Sequence, residues 1–440
     1  MLTMYFRLAL RNAKRSMIDY LLYTFTLVIL LTIMSVSNYI SMISNINFGF
    51  QTVSLPILII LISIVLVGYI NKFMLTQRSK EFANYLLMGM EKNYLIKMFV
   101  IEFNGISLIC FFISSLLCFP ICYLTAILLN INMSVIIFIQ SIFHGVIYFI
   151  IIESFSTCLI IYRIKDLQIC ELMKEKKRNE SSTVKYNYQF WYFIFLSSFI
   201  CFVFMLCAIV FSSEDFVFLL IPSISLPILL NVFSFYNWLF QLLISKRKEC
   251  NEKLYKKEYL YLVGKITSAS KSNTIINTVF CCCLLFSAMA FIFGVLMFTD
   301  TDLFLNKDIQ NWMGVLQIFI CIIFIVLFFS IISLKEIIEN KHKEEEVRLL
   351  TYLGKDKKQL KSLIRKQTLI NLSIPSFMAF VILLVATPLI NHKVNTLLPN
   401  VLNNICLYSL GVYTLCFLVL YFCYYIIVYV INTKNVNYLH

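Results

Sequence analysis

Ten long apolar runs fill most of this chain, and they leave it only one solvent to fold in. They cover about 18–43, 54–74, 98–128, 133–162, 189–212, 216–243, 273–298, 311–334, 367–390 and 404–431. A helix needs ~20 mostly apolar residues to cross the hydrocarbon core of a bilayer. Inside that core only helices and closed barrels satisfy their own backbone. Continuous runs of this length predict helices, because strands that half-face lipid would alternate. The expected fold class is therefore an all-α integral membrane protein with about ten transmembrane helices. Composition agrees: 60% of the 440 residues are hydrophobic, against ~45–50% in soluble domains.

Charge sets the orientation. The net charge of +14 comes from 37 Lys+Arg against 23 Asp+Glu. In a soluble protein this excess would point to nucleic acid; here it falls in alternate gaps, so no nucleic-acid partner is implied. The basic gaps hold Arg7, Arg11, Lys14 and Arg15; Lys72 to Lys97; Arg163 to Lys185; Lys246 to Lys265; Lys335 to Lys366; and Lys434. The intervening gaps are short and mostly neutral or acidic, as with Glu214–Asp215 and Asp300, Asp302 and Asp308; the gap after Ile390 holds His392 and Lys393. Cytosolic loops carry the Lys/Arg excess, so a multi-pass protein of the cell membrane with both termini cytosolic is expected. The first run is too long for the apolar core of a signal peptide and is read as a retained span.

The segment before the first span is amphipathic. Phe6, Ala9, Leu10, Ala13 and Met17 share one side of a helix, and Arg7, Arg11, Lys14 and Arg15 another. It reads as a helix lying on the inner leaflet, a reading compatible with a simple topology signal.

Two inward-facing stretches repeat one pattern 265 positions apart. Arg78 to Lys92 matches Lys343 to Lys357, with a basic residue, Glu, an apolar run, Gly, an acid and Lys in register. This suggests two halves related by parallel duplication. The expected organisation is an N-terminal interfacial helix (1–17), a first four-span half (18–163), a linker (164–188), a two-span insert (189–244), a linker (245–272), a second four-span half (273–431) and a tail (432–440). Phe82, Tyr85 and Leu86, and likewise Val347, Leu350 and Thr351, have the i, i+3, i+4 spacing of a short helix with one apolar face. Glu81 and Glu346 lie early in those helices, where negative charge is favoured. Gly89 and Gly354, each followed by an acid (Glu91, Asp356), stand where such helices would stop. Two readings fit: coupling helices that enter grooves on an ATPase, with apolar anchors such as Leu86 giving affinity and the flanking charges, Arg78 among them, setting register, or interfacial helices packed on the protein's own span ends.

Four polar residues fall inside or beside the spans: Glu102, Gln140, His144 and Glu153. Glu102, near the start of its span, reads as snorkelling to the interface or pairing with Lys97. A carboxylate as deep as Glu153 is costly unless it meets a partner or water. Gln140, His144 and Glu153 read either as interhelical hydrogen bonding or as a lateral site for a lipid or amphipathic substrate. Cys283, Ser287, Ala290 and Gly294 form a small-residue stripe that permits close helix packing.

Catalytic chemistry finds no support. The chain has 10 Gly and none sits in a G-x-x-x-x-G-K-[ST] phosphate loop. There is no H-E-x-x-H motif, the four His are scattered, and the 15 Cys lack zinc spacing. No enzyme, metal or cofactor is expected in this chain.

The residues Phe6 to Arg15 before the first span resemble the opening of FtsX-like permeases. Arg78, Lys80, Glu81, Tyr85, Leu86, Met88 and Gly89 resemble their coupling region. In span order the chain is similar to the ten-span permeases of bacitracin- and lantibiotic-resistance ABC transporters in Gram-positive bacteria. That resemblance implies a type VII-like ABC permease, with ATP and Mg bound on a separate, dimeric cytosolic ATPase. It also implies a place for a second permease or a sensor kinase. One departure is plain: those permeases carry a large extracellular domain between spans seven and eight, and here that interval is only about Thr299 to Gln310. Two functions follow. The first is ATP-driven movement or extraction of a hydrophobic or amphipathic substrate, in antimicrobial peptide resistance, immunity or export. The second is mechanotransmission or signalling without translocation.

Overall fold

The computed structural model describes residues 78–128, 135–166, 188–211, 214–248, 258–299 except 269, 307–397 and 404–437, with scattered positions between 24 and 75. Every element among them is a helix: α1 (Ser79–Leu87), α2 (Lys92–Leu128), α3 (Val135–Asp166), α4 (Tyr188–Phe211), α5 (Glu214–Lys248), α6 (Tyr259–Ser268), α7 (Ser270–Met297), α8 (Lys307–Tyr352), α9 (Lys357–Leu397) and α10 (Ile405–Asn437). All but α1 and α6 are long and apolar enough to cross a membrane, giving eight candidate spans among the described residues. They correspond to the third through tenth apolar runs. The first two runs lie largely outside the described residues, and their described positions are helical. The N-terminal helix with Arg7, Arg11, Lys14 and Arg15 lies outside the described residues altogether, as does most of the first linker.

The chain divides into two compact units, residues 1–178 and 179–440. In a bilayer, apolar side chains gain little by leaving lipid for one another. Spans are therefore held by close approach and by hydrogen bonds between helices, each worth about 0.6 and at most about 2 kcal/mol.

In the first unit these contacts form a polar seam. The Asn71 amide donates to Ser156 Oγ at 2.7 Å. One guanidinium nitrogen of Arg163 donates to the Gly68 carbonyl at 3.1 Å. A Cβ on Gly68 would lie 3.3 Å from Leu159. Residues 156, 159 and 163 repeat at helical spacing, so Gly68 and Asn71 of the second span lie along one stripe of α3. The α2 helix packs on α3 and also meets the first span, where Cys110 Sγ lies 3.8 Å from the Thr24 carbonyl.

In the second unit α7 is the central helix, packed against α8, α9, α10 and α5. Its small-residue stripe does the packing. A Cβ on Gly294 would meet Ile318 at 3.0 Å and the Gly314 carbonyl at 3.3 Å, so α7 and α8 cross almost backbone to backbone. Cys283 and Ser287 are fully buried, and Ser287 shares a hydrogen bond with the Tyr413 hydroxyl of α10. The Tyr236 hydroxyl donates to the carbonyls of Ile374 and Pro375, where proline interrupts the ladder of α9.

In sequence only nine residues separate Met297 from Lys307, and the end of α7 is tied to the start of α8. Gln310 donates to the carbonyls of both Met297 and Thr299 at 3.0 Å. Asn391 of α9 joins the start of α10: its amide donates to the Asn404 side chain at 2.9 Å and its oxygen accepts from the Cys406 N–H.

Candidate coupling site

Each repeated stretch folds into the same elbow: the end of a helix, a glycine, and the start of the next span. In elbow one, α1 closes with Gly89 N–H donating to the Leu86 carbonyl at 3.1 Å and Met90 N–H to the Tyr85 carbonyl at 3.0 Å. In elbow two, Gly354 N–H donates to Thr351 at 3.0 Å and Lys355 N–H to Leu350 at 3.1 Å. This paired bonding is the Schellman closure, which needs a left-handed residue at the position after the cap. Gly89 has φ +90° and Gly354 φ +84°, values that cost glycine nothing. Two residues on, the Glu91 carbonyl accepts from Leu95 N–H and the Asp356 carbonyl from Leu360 N–H, opening α2 and α9 at Lys92 and Lys357.

Burial follows the same register. Phe82 and Val347 are 1% and 5% exposed, and Leu95 and Leu360 behind them are 1% each. Phe82 meets Phe99 edge-on at 5.3 Å, while Val347 packs with Leu360, Ile364 and Leu350. The i, i+3 anchors thus hold each elbow to its own span and are not surface contacts. Tyr85, Leu86, Leu350 and Thr351 are half-buried. What projects is the tip. Leu87 and Met88 are exposed in elbow one; Leu349, Tyr352 and Leu353 are exposed in elbow two, Tyr352 at 86%. Periodicity pointed to the buried face; the tip residues fall off that face and carried no signal.

The second elbow also differs in origin. Its first arm is not a separate short helix but the end of α8, a continuous 46-residue helix. Of Glu346 only the backbone, in α8, is described.

The elbows are anchored differently. Arg78, at the cap of α1, donates to Glu102 at 2.8 Å and to Glu81 at 3.0 Å, with its guanidinium 5.3 Å from the Phe82 ring centre. Arg78 and Glu102 are both buried, so Glu102 pairs with the coupling segment and not with Lys97, which is exposed and lies over Tyr94. In the second copy Gln367 stands where Glu102 does, so the carboxylate is missing. There Glu258, just before α6, bonds Lys366 at 3.0 Å and approaches Lys355 at 3.7 Å.

The intramembrane polar residues are not brought together. Gln140 is exposed, and His144 bonds the Gln140 carbonyl of its own helix at 2.9 Å. Glu153 is half-buried and faces Ser107 of α2. Glu102 belongs to the Arg78 pair.

Residues 53–169, about a quarter of the chain, match the family model described as FtsX-like permease C-terminal. The matched stretch contains elbow one and all of α2 and α3. No curated protein is detectably similar to the chain. An FtsX-like permease domain in a multi-pass membrane protein supports an ABC transporter permease-type role, a non-enzymatic component that generally pairs with an ABC ATPase.

Proposed function

We propose that this chain is the permease subunit of an ABC transporter whose two elbows engage a dimeric cytosolic ATPase and pass its motion into the spans. The observation that carries this is the duplication of one elbow, bond for bond, 265 residues apart. Two matched projections suit a motor with two equivalent grooves. The exposed tips Leu87, Met88, Tyr352 and Leu353 supply the apolar contact. Arg78–Glu102, in the first half, and Glu258 with Lys355 and Lys366, in the second, tie the tips to their spans. Glu81, Glu91 and Asp356 frame them. ATP and Mg reside on the ATPase, and both termini lie in the cytosol of the cell on this reading.

The substrate class is hydrophobic or amphipathic. The far-side gaps are short in the sequence, so capture occurs among the spans or on a second permease, and the setting is antimicrobial peptide resistance, immunity or export. The short Met297–Lys307 connection weighs against the alternative, a mechanotransmission or signalling module, because that role needs an outer docking surface. Met88→Asp with Leu353→Asp, expressed in the full chain, is expected to lose the ATPase in affinity purification while still inserting in the membrane. Retention of the ATPase by that double variant contradicts the reading.

A further inference from the structure

The two elbows share a backbone but not a charge. In α9, the residues Lys357, Lys358, Lys361 and Arg365 fall within ~100° of helix circumference at 100° per residue. They form one basic stripe, with Lys361 half-buried and the other three exposed. It runs beside the apolar stripe of Leu360 and Ile364 that holds the elbow. Glu258 takes up Lys355 and Lys366, and none of the four stripe residues has an ion-pair partner among the described residues. In elbow one the same positions are Lys92, Asn93, Ile96 and Val100, a single cation.

Local stability does not explain the stripe. Cations in the first turns of a helix oppose its dipole, and no acid stands in the first turn of α9. Nor does orientation require it there, since basic residues anywhere on that side serve the same end. Geometry weighs against lipid. Ten residues of α9, ~15 Å of helix, separate Lys357 from Gln367, where the apolar run begins. A headgroup layer is only roughly 5–8 Å deep per leaflet. With α9 upright, Lys357, Lys358 and the exposed tip at Tyr352 and Leu353 stand past it, in water.

We infer that the two equivalent grooves of the ATPase are apolar with an acidic rim, and that elbow two seats Tyr352 and Leu353 in the groove and its basic stripe on the rim, whereas elbow one, lacking the stripe, engages its groove through the apolar tip. This rests on the coupling role proposed above and specifies the partner's chemistry.

The test uses the full chain in nanodiscs and the ATPase subunit that co-purifies with it, identified by mass and by its ATP hydrolysis. Lys357→Gln, Lys358→Gln, Lys361→Gln and Arg365→Gln are combined, with Lys92→Gln as the elbow-one control. At low salt (~0.05 M) the fourfold variant is expected to bind the ATPase about tenfold more weakly, and at ~0.5 M to match the wild type within about threefold. The control is expected to change neither value by more than about twofold. Replacing the three lysines by arginine, which preserves insertion charge, is expected to restore binding. Wild-type affinity and salt dependence in the fourfold variant, with binding still lost in Met88→Asp/Leu353→Asp, overturns the acidic rim and leaves the coupling role standing. Loss of binding in neither variant overturns both. A defect seen only in nanodiscs containing anionic lipid assigns the stripe to the bilayer and overturns the inference.

Discussion

At the residue scale the elbows rest on two glycines and one buried ion pair. Nothing lies within 4 Å of a Cβ placed on Gly89 or Gly354, so Gly354→Ala strains only the backbone. That substitution is expected to cost about 1 kcal/mol, read as a lowered midpoint in detergent unfolding. Arg78 and Glu102 behave otherwise. Glu102→Leu takes the buried carboxylate away from the guanidinium, Glu81 being largely exposed, and is expected to destabilise by about 3–5 kcal/mol. Arg78→Met with Glu102→Leu is expected to recover most of that loss, since both desolvated charges are gone; an additive double variant contradicts the pairing. The glycines were legible because a helix stop needs a local signal and the repeat displayed it twice. The pair was not. Lys97 is nearer to Glu102 in sequence, but five residues of helix turn it ~140° away. Arg78 reaches Glu102 only because the elbow folds α1 back along α2.

At the element scale the sequence pattern located the helices, and packing decided which face was buried. The i, i+3, i+4 face of each elbow contains Phe82 or Val347, and periodicity alone cannot tell a face turned to a partner from a face turned to its own span. The small-residue stripe of α7 was more explicit, since small side chains have few uses in lipid besides close approach. Its hydrogen-bond partner Tyr413 lies 126 residues away and left no local trace. Gly294→Leu would force side-chain carbons into Ile318 and the Gly314 carbonyl. It is expected to cost about 1–3 kcal/mol by overpacking and to lower the thermal midpoint of the purified chain. Gly411→Leu, where nothing lies within 4 Å, is expected to leave that midpoint nearly unchanged. Equal effects at the two sites would contradict a tight α7–α8 crossing.

At the scale of the whole molecule, apolar length and the alternation of charge carried the fold class, because lipid imposes both on any sequence that lives in it. The duplication carried the functional reading, and the elbow it repeats is the same in bonding, in register and in the burial of its apolar anchors, with different ion pairs and different charge. Substrate selection has no such signature among the described residues: Gln140, His144 and Glu153 share α3, with His144 bonded to its own helix and Glu153 facing Ser107. The most direct test of the account is photo-cross-linking in intact cells, with a photoreactive side chain placed singly at Met88, at Leu353 and, as a control, at Phe204, an exposed apolar residue within the α4 span. The account predicts that positions 88 and 353 both capture the same phosphate-loop ATPase and that position 204 does not. Capture from only one elbow, or reaction of either elbow with an impermeant reagent added outside the cell, would contradict it.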